Sequence, residues 1–155
     1  MPIVPLSLTF NVQDIGRSLP AYKTLGFRVD DAWKGDDGET YYAELSYEGS
    51  EIGLAHIPSN DDPDFQKWVS TPLGAGVVAY LSVRDVDRLH RRAKKAGFLI
   101  EQPPTDRSYG RVLMLNDPDG YTLSFIVEPK KKSAATRKAR PAAKRKAKAA
   151  TKKRR

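Results

Sequence analysis

The chain repeats itself at a spacing of 71 residues. Val12, Asp14, Gly26, Phe27 and Gly49 recur as Val83, Asp85, Gly97, Phe98 and Gly120. Ile52 and Leu54 return as Leu123 and Phe125 at the same offset, and no gap is needed to keep the copies in register. A duplicated unit that cannot bury its own apolar face is expected to pack against its copy. Whatever elements one copy forms, the other should form as well.

Each copy reads as strand, helix and three strands. From Leu6 to Val12 the residues alternate, with Leu8, Phe10 and Val12 on one face and Ser7, Thr9 and Asn11 on the other. Period two with one polar face marks a half-buried strand. Asp14 stands where an N-cap belongs. Ile15, Leu19, Tyr22 and Leu25 follow at helical spacing, and Gly26 supplies the left-handed stop. Pro20 predicts a kink or a weakened first turn. In the second copy Asp85 caps, Val86, Leu89, Ala93 and Ala96 form the apolar stripe, and Gly97 ends the helix. Arg88, Arg91, Arg92, Lys94 and Lys95 make its solvated face, with His90 among them. The remaining strands are expected near 27–31, 40–47 and 51–56, then 98–102, 111–115 and 121–127. Gly49 and Asp119-Gly120 turn the chain before each last strand. The expected organisation is two modules, about 1–58 and 75–129, with a connector at 59–74 rich in Pro, Asp and Ser.

Charge divides the chain a second time. Residues 1–129 hold 13 Lys+Arg against 19 Asp+Glu, a net −6, and residues 130–155 hold 14 Lys+Arg and no acid, so the formal +8 describes neither part. The body is of ordinary single-domain size. No stretch approaches the roughly 20 apolar residues needed to cross a bilayer. No basic region precedes an apolar run at the N-terminus, so a cytoplasmic location is expected. With no Cys there are no disulfides, thiolate zinc sites or cysteine nucleophiles, and with only His56 and His90 one chain has no three-histidine metal site.

The segment 130–155 has no aromatic and no large aliphatic residue. Nothing in it offsets the entropy of ordering, so it is expected to be disordered alone. Its cations are Lys130, Lys131, Lys132, Arg137, Lys138, Arg140, Lys144, Arg145, Lys146, Lys148, Lys152, Lys153, Arg154 and Arg155. Such a run suits a phosphate backbone, binding with steep salt dependence and little sequence preference. A solvated tail that binds any polyanion fits equally, and no base-reading module accompanies it.

The doubled strand-helix-three-strand pattern, closed by Asp117-Pro118-Asp119-Gly120 and the strand after it, resembles the vicinal oxygen chelate superfamily of glyoxalases, bleomycin-resistance proteins and extradiol dioxygenases. Tyr109-Gly110 followed by a strand and that turn is most similar to the bleomycin-resistance and antibiotic-binding branch. The resemblance implies an α+β fold of two tandem βαβββ modules, a curved mixed sheet around a cleft. Metal-using members take one ligand from each of four strands. By motif spacing those positions are Ser7, Gly53, Val78 and Ser124. Gly and Val offer no donor atom, and a neutral Ser hydroxyl is a poor ligand for a divalent transition metal. The expectation is therefore no metal and no cofactor.

Alternation assigns Ser7, Thr9 and Asn11, Val78, Tyr80 and Ser82, Glu51, Gly53 and Ala55, and Thr122, Ser124 and Ile126 to the face opposite the helices. A ligand cleft and a merely solvated sheet face both fit that composition; the resemblance favours the cleft. Trp33, read as part of a polar loop, Phe65 and Trp68 in the connector, and Tyr109 are aromatic candidates for stacking on a ligand. Phe65 and Trp68 fit a dimer interface equally well. For Tyr41, Tyr42 and Tyr47 the alternation leaves the face open, and core packing is the favoured reading. Arg111 is a candidate for an anionic ligand group, or for pairing with Asp117 or Asp119. His56 shares the parity of Ile52 and Leu54, so a core-edge or surface role is expected rather than that of a general base. Glu44 and Glu51 are conceivable paired carboxylates that nothing in the sequence brings together.

The leading expectation is a metal-free small-molecule-binding protein, forming a homodimer as members of that branch do. Its ligand-binding residues are Ser7, Thr9, Trp33, Trp68, Tyr80, Tyr109, Arg111 and Ser124, and no residue is assigned to catalysis. The alternatives are a metal-dependent lyase, isomerase or dioxygenase of the same superfamily, or a nucleic-acid-associated scaffold. Deleting 130–155 is expected to abolish salt-sensitive DNA binding in an electrophoretic mobility assay; binding that persists would place the contact on the body.

Overall fold

A computed structural model describes residues 7–69 and 73–129. The basic segment 130–155 lies outside them, as do residues 1–6 with the expected start of the first strand. In chain order the elements are β1 (Thr9–Val12), α1 (Ile15–Leu25), β2 (Arg28–Lys34), β3 (Thr40–Tyr47), β4 (Ser50–His56), a 3₁₀ turn (Ile57–Ser59), α2 (Pro63–Trp68), β5 (Val78–Ser82), α3 (Val86–Lys95), β6 (Leu99–Arg107), β7 (Gly110–Asn116) and β8 (Thr122–Val127). The strands form two four-stranded mixed sheets, one per copy, ordered β1-β4-β3-β2 and β5-β8-β7-β6. β1 runs parallel to β4 and β5 to β8, and the other pairings are antiparallel. The fold is α+β. Among the described residues no helix is long and apolar enough to cross a membrane.

The copies match where the caps specify them. Asp14 accepts a hydrogen bond from Arg17 N and Asp85 one from Arg88 N, so both helices start at the same point of the repeat. Phe10 pairs with Leu54 and Leu81 with Phe125, 71 residues on. The third strand breaks the gapless register. Glu44 faces Gly53, but Met114 faces Ser124, so β7 is displaced by one residue. The cause is the turn before the last strand. The first copy closes Tyr47 onto Ser50 across Glu48-Gly49, whereas the second closes Asn116 onto Thr122 across a wider turn. Ala96 is exposed, against the expectation, because it follows the last turn of α3; Pro20 lies inside α1, which runs from Ile15 to Leu25. Ser18, not among the expected core residues, is fully buried.

The apolar faces of both sheets and the buried stripes of α1 and α3 join in a single core. Rings from the two copies meet across it. Phe10 stacks on Tyr121 with centroids 4.4 Å apart, and Tyr47 meets Phe125 edge-on at 6.5 Å. Each such ring stabilises the fold by about 2–3 kcal/mol through burial alone.

Polar contacts converge at the turn between β7 and β8. Tyr22, buried in α1, donates to Asp117 Oδ2 at 2.8 Å, while Asp117 Oδ1 accepts from the Asp119 and Tyr121 amides at 2.9 and 2.8 Å. Asp119 accepts from the Ser18 hydroxyl at 2.8 Å and from Gln13 N at 2.9 Å, which explains why Ser18 is buried without cost. The Tyr121 hydroxyl bonds to the Asn11 backbone. A second tie runs the other way. Glu48 holds a positive φ of 48°, rare for a residue with a side chain, and its carboxylate accepts from Arg84 N at 2.7 Å. A two-residue hairpin turn needs positive φ at both central positions, and Gly49 meets that need freely. Glu48 bears the strain while its carboxylate reaches the loop before α3.

Burial raises the Asp117 pKa above the usual carboxylate value against the pull of its hydrogen bonds, and it raises that of Tyr22 further above its own. Between the ordinary and the raised Asp117 value the folded chain holds a proton that the unfolded chain releases. Its contribution to stability therefore falls as pH rises through that window. Asp117→Asn should remove this dependence, seen as a smaller gain in urea stability on acidification than the native chain shows. Asp117→Ala, which orphans the Tyr22 hydroxyl and two amides, should cost on the order of 3 kcal/mol in the same titration.

Candidate functional site

Joining the helix-side faces in one core leaves the opposite face of each sheet open. On the first sheet the cross-strand rows are Thr9–Gly53–Glu44–Asp31 and Asn11–Ala55–Tyr42–Trp33. A third row is Glu51–Ser46–Arg28. Ser7, Arg28, Asp30, Tyr42, Glu44, Glu51 and Gly53 line a cavity of about 540 Å³ on this face. Trp33 lies in β2, not in a loop, because that strand runs on to Lys34; its ring sits 5.3 Å from that of Tyr42. Tyr42 was read as core, yet its register with Ala55 and Asn11 puts it on the open face. Sequence alternation alone held the clue, since Ala43 and Leu45 are buried on either side of Glu44. Glu44 and Glu51, far apart as candidates, meet at one cavity. Asp30 is paired with Arg28 at 2.6 Å, and the Ser46 hydroxyl, with Arg28 next, holds its carboxyl below the usual range.

The second open face has another character. Val78 is 40% and Tyr80 66% exposed, beside half-buried Met114 and Ile126. Ser124 is fully buried between Tyr80 and Met114, and its hydroxyl finds no partner among the described residues. Tyr109 is exposed in the turn between β6 and β7. Arg111 does not pair with Asp117 or Asp119. Its guanidinium grips Asp87 through two bonds of 3.0 Å and Asp106 through one of 2.9 Å. Those carboxylates raise its already high pKa, and it in turn lowers that of Asp87.

The connector forms the short helix α2, with Asp62 as its N-cap. Phe65 lines a hollow of about 360 Å³ with Asn11, Tyr41, Tyr42, His56 and Asp61, while the Trp68 side chain lies outside the described residues. His56 is half-buried at the end of β4, and its Nδ1 is 2.7 Å from Ser59 Oγ.

The four positions that the resemblance assigns to metal ligands are split between the sheets, Ser7 and Gly53 on the first side, Val78 and Ser124 on the second. A Cβ at Gly53 would collide with the Tyr42 hydroxyl, and would lie 2.8 Å from Thr9 Oγ1. The tyrosine thus occupies the space a ligand side chain would need. Among the described residues no group of three or more His, Asp or Glu is placed to hold a metal ion. The donor set does not fit a divalent metal at this site.

Residues 5–125 match the model of the Glyoxalase/Bleomycin resistance protein/Dioxygenase superfamily, and the chain belongs to that family. Among curated proteins no sequence matches it significantly. Among solved structures it is similar to a hypothetical protein, SA1046, from S. aureus, with 24% identity, 82% of this chain and 95% of that one covered, and a TM-score of 0.61. TnmS3, an antibiotic binding protein from a Streptomyces species, is 22% identical, with 83% and 99% covered and a TM-score of 0.60. A superfamily member from Sphaerobacter thermophilus is 21% identical, with 82% and 98% covered and a TM-score of 0.61. Identities this low show the shared fold.

Gly53→Ala should displace the Tyr42 ring and cost about 1–2 kcal/mol by overpacking. In a double-mutant cycle read by thermal unfolding, Tyr42→Ala should remove most of that cost.

Proposed function

We propose that this protein binds and sequesters a small molecule on the open sheet faces, without a metal, and that its ligand is an amphipathic cation. The observation that carries the reading is the first-sheet cavity. Glu44 and Glu51 offer it negative charge, and the Trp33–Tyr42 pair offers an aromatic surface beside that charge. Carboxylates and ring faces both favour a cation over an anion. Thr9 and Ser7 supply orienting hydroxyls, while Arg111, already held by two carboxylates, contributes to packing of the second module. The antibiotic-binding relative supports the reading by analogy of fold.

We infer further that two copies pair. Val77, Val78 and Tyr80, at and before the edge strand β5, present exposed apolar surface, and β1 is likewise an edge strand. Such edges and patches are normally covered. A second copy would set the acidic aromatic face of one chain opposite the apolar face of another, which suits an amphipathic ligand.

Calorimetric titration against a panel of amphipathic cationic antibiotics, with metal analysis of the purified protein, tests this. Binding of at least one compound is expected, weakened about tenfold or more, a loss of roughly 1.4 kcal/mol, by Glu44→Gln with Glu51→Gln. Silence across the panel, both with residues 130–155 present and with them deleted, would overturn the ligand class. Stoichiometric Ni, Zn, Mn or Fe would overturn the metal-free site.

A further inference from the structure

We propose that the basic segment 130–155 docks on the acidic open face of the first sheet in its own chain. The net negative charge of the body lies in the first copy and the start of the connector. Residues 1–69 hold 5 Lys+Arg against 12 Asp+Glu, a net −7, whereas residues 70–129 hold 8 against 7, a net +1. On the open face, Arg28 is engaged with Asp30. Asp31, Glu44 and Glu51 carry no ion pair among the described residues. A segment with 14 cations and no acid is complementary to that surface.

The point where the segment leaves the body brings the two together. Glu128, near the last described residue, accepts from the Ser82 hydroxyl at 3.1 Å. It shares a surface hollow with Glu48 and Arg84, whose backbone amide donates to the Glu48 carboxylate. The exit therefore lies beside the β3–β4 turn of the first sheet. Glu51 is the second residue of β4, three residues on from Glu48 and within about 10 Å of it. Twenty-six residues span up to about 90 Å when extended, so the whole face is within reach. Tethering keeps the effective concentration near the millimolar range, which lets weak, screened contacts be occupied. The docking does not depend on the small-molecule reading. A polyanion that captures the segment competes with the docking.

The chain has no cysteine, so Ala149→Cys in the full-length protein provides a single attachment point for a nitroxide label. At low salt the label should broaden amides around Asp31, Glu44 and Glu51 at least about twofold. That broadening should vanish near 0.5 M salt, where the screening length is only about 4 Å, and in the Glu44→Gln, Glu51→Gln variant. Zero-length carbodiimide coupling of segment lysines to the same carboxylates provides a second readout. Broadening that is absent at low salt, or equal around Glu101 and Asp106 of the second copy, would overturn the proposal. So would broadening that appears only when labelled and isotope-enriched chains are mixed, since the contact would then lie between chains. Added duplex DNA should remove the broadening; DNA that binds the segment and leaves the broadening intact would overturn the competition.

Discussion

Two four-stranded sheets that share no strand pairing need some other interaction to set their relative position, and the turn between β7 and β8 supplies it. Asp117 is buried there, bonded to Tyr22 of the first copy, while Asp119 bonds Ser18 and Gln13 and Tyr121 stacks on Phe10. Burying a carboxylate is costly, and the cost is tolerable only because its oxygens are matched by a hydroxyl and two amides. Such a contact is specific where apolar packing is not. An apolar interface alone would allow the two modules to slide, whereas this set of bonds closes only in one arrangement. The register of the core and the outward turn of both open faces follow from it.

Duplication left the two copies with the same backbone and different faces. The rows Thr9–Gly53–Glu44 and Tyr80–Ser124–Met114 stand at equivalent places, yet one is polar and acidic and the other largely apolar. The helix-side residues cannot diverge in this way, because they fill a common core in which lost volume is felt directly. The open faces are less closely packed away from Gly53 and Ser124, so their side chains are freer to differ. At Gly53 the divergence is visible atom by atom. The space beside the strand holds a tyrosine hydroxyl, and a metal-ligating side chain has no room.

Much of this was legible from spacing. The caps at Asp14 and Asp85, the left-handed stop at Gly26 and the strand parity of Phe10, Val12, Leu81 and Val83 are local, and local stereochemistry writes them into short stretches of sequence. Tyr42 and Trp33 were harder. Whether a strand ends at Asp31 or Lys34 depends on a pairing partner beyond a loop, and local sequence does not contain it. Arg111 shows the same limit. Its nearest acids in sequence, Asp117 and Asp119, are taken by the first copy, so it turns to Asp87 on α3. Nothing near Ser18 in sequence marks it for burial, because its partner lies 101 residues away.

By itself the sequence determined a duplicated βαβββ unit, a body that is acidic and a terminal segment that is basic, and four positions poor in metal donors, because periodicity, caps and side-chain chemistry are properties of neighbouring residues. Only the tertiary structure decided that the strands divide into two sheets, that β7 is displaced by one residue, and that Glu44, Glu51, Tyr42 and Trp33 share one face. Those outcomes depend on which groups far apart in the chain compete for the same partner, and that competition is settled only when the whole core closes.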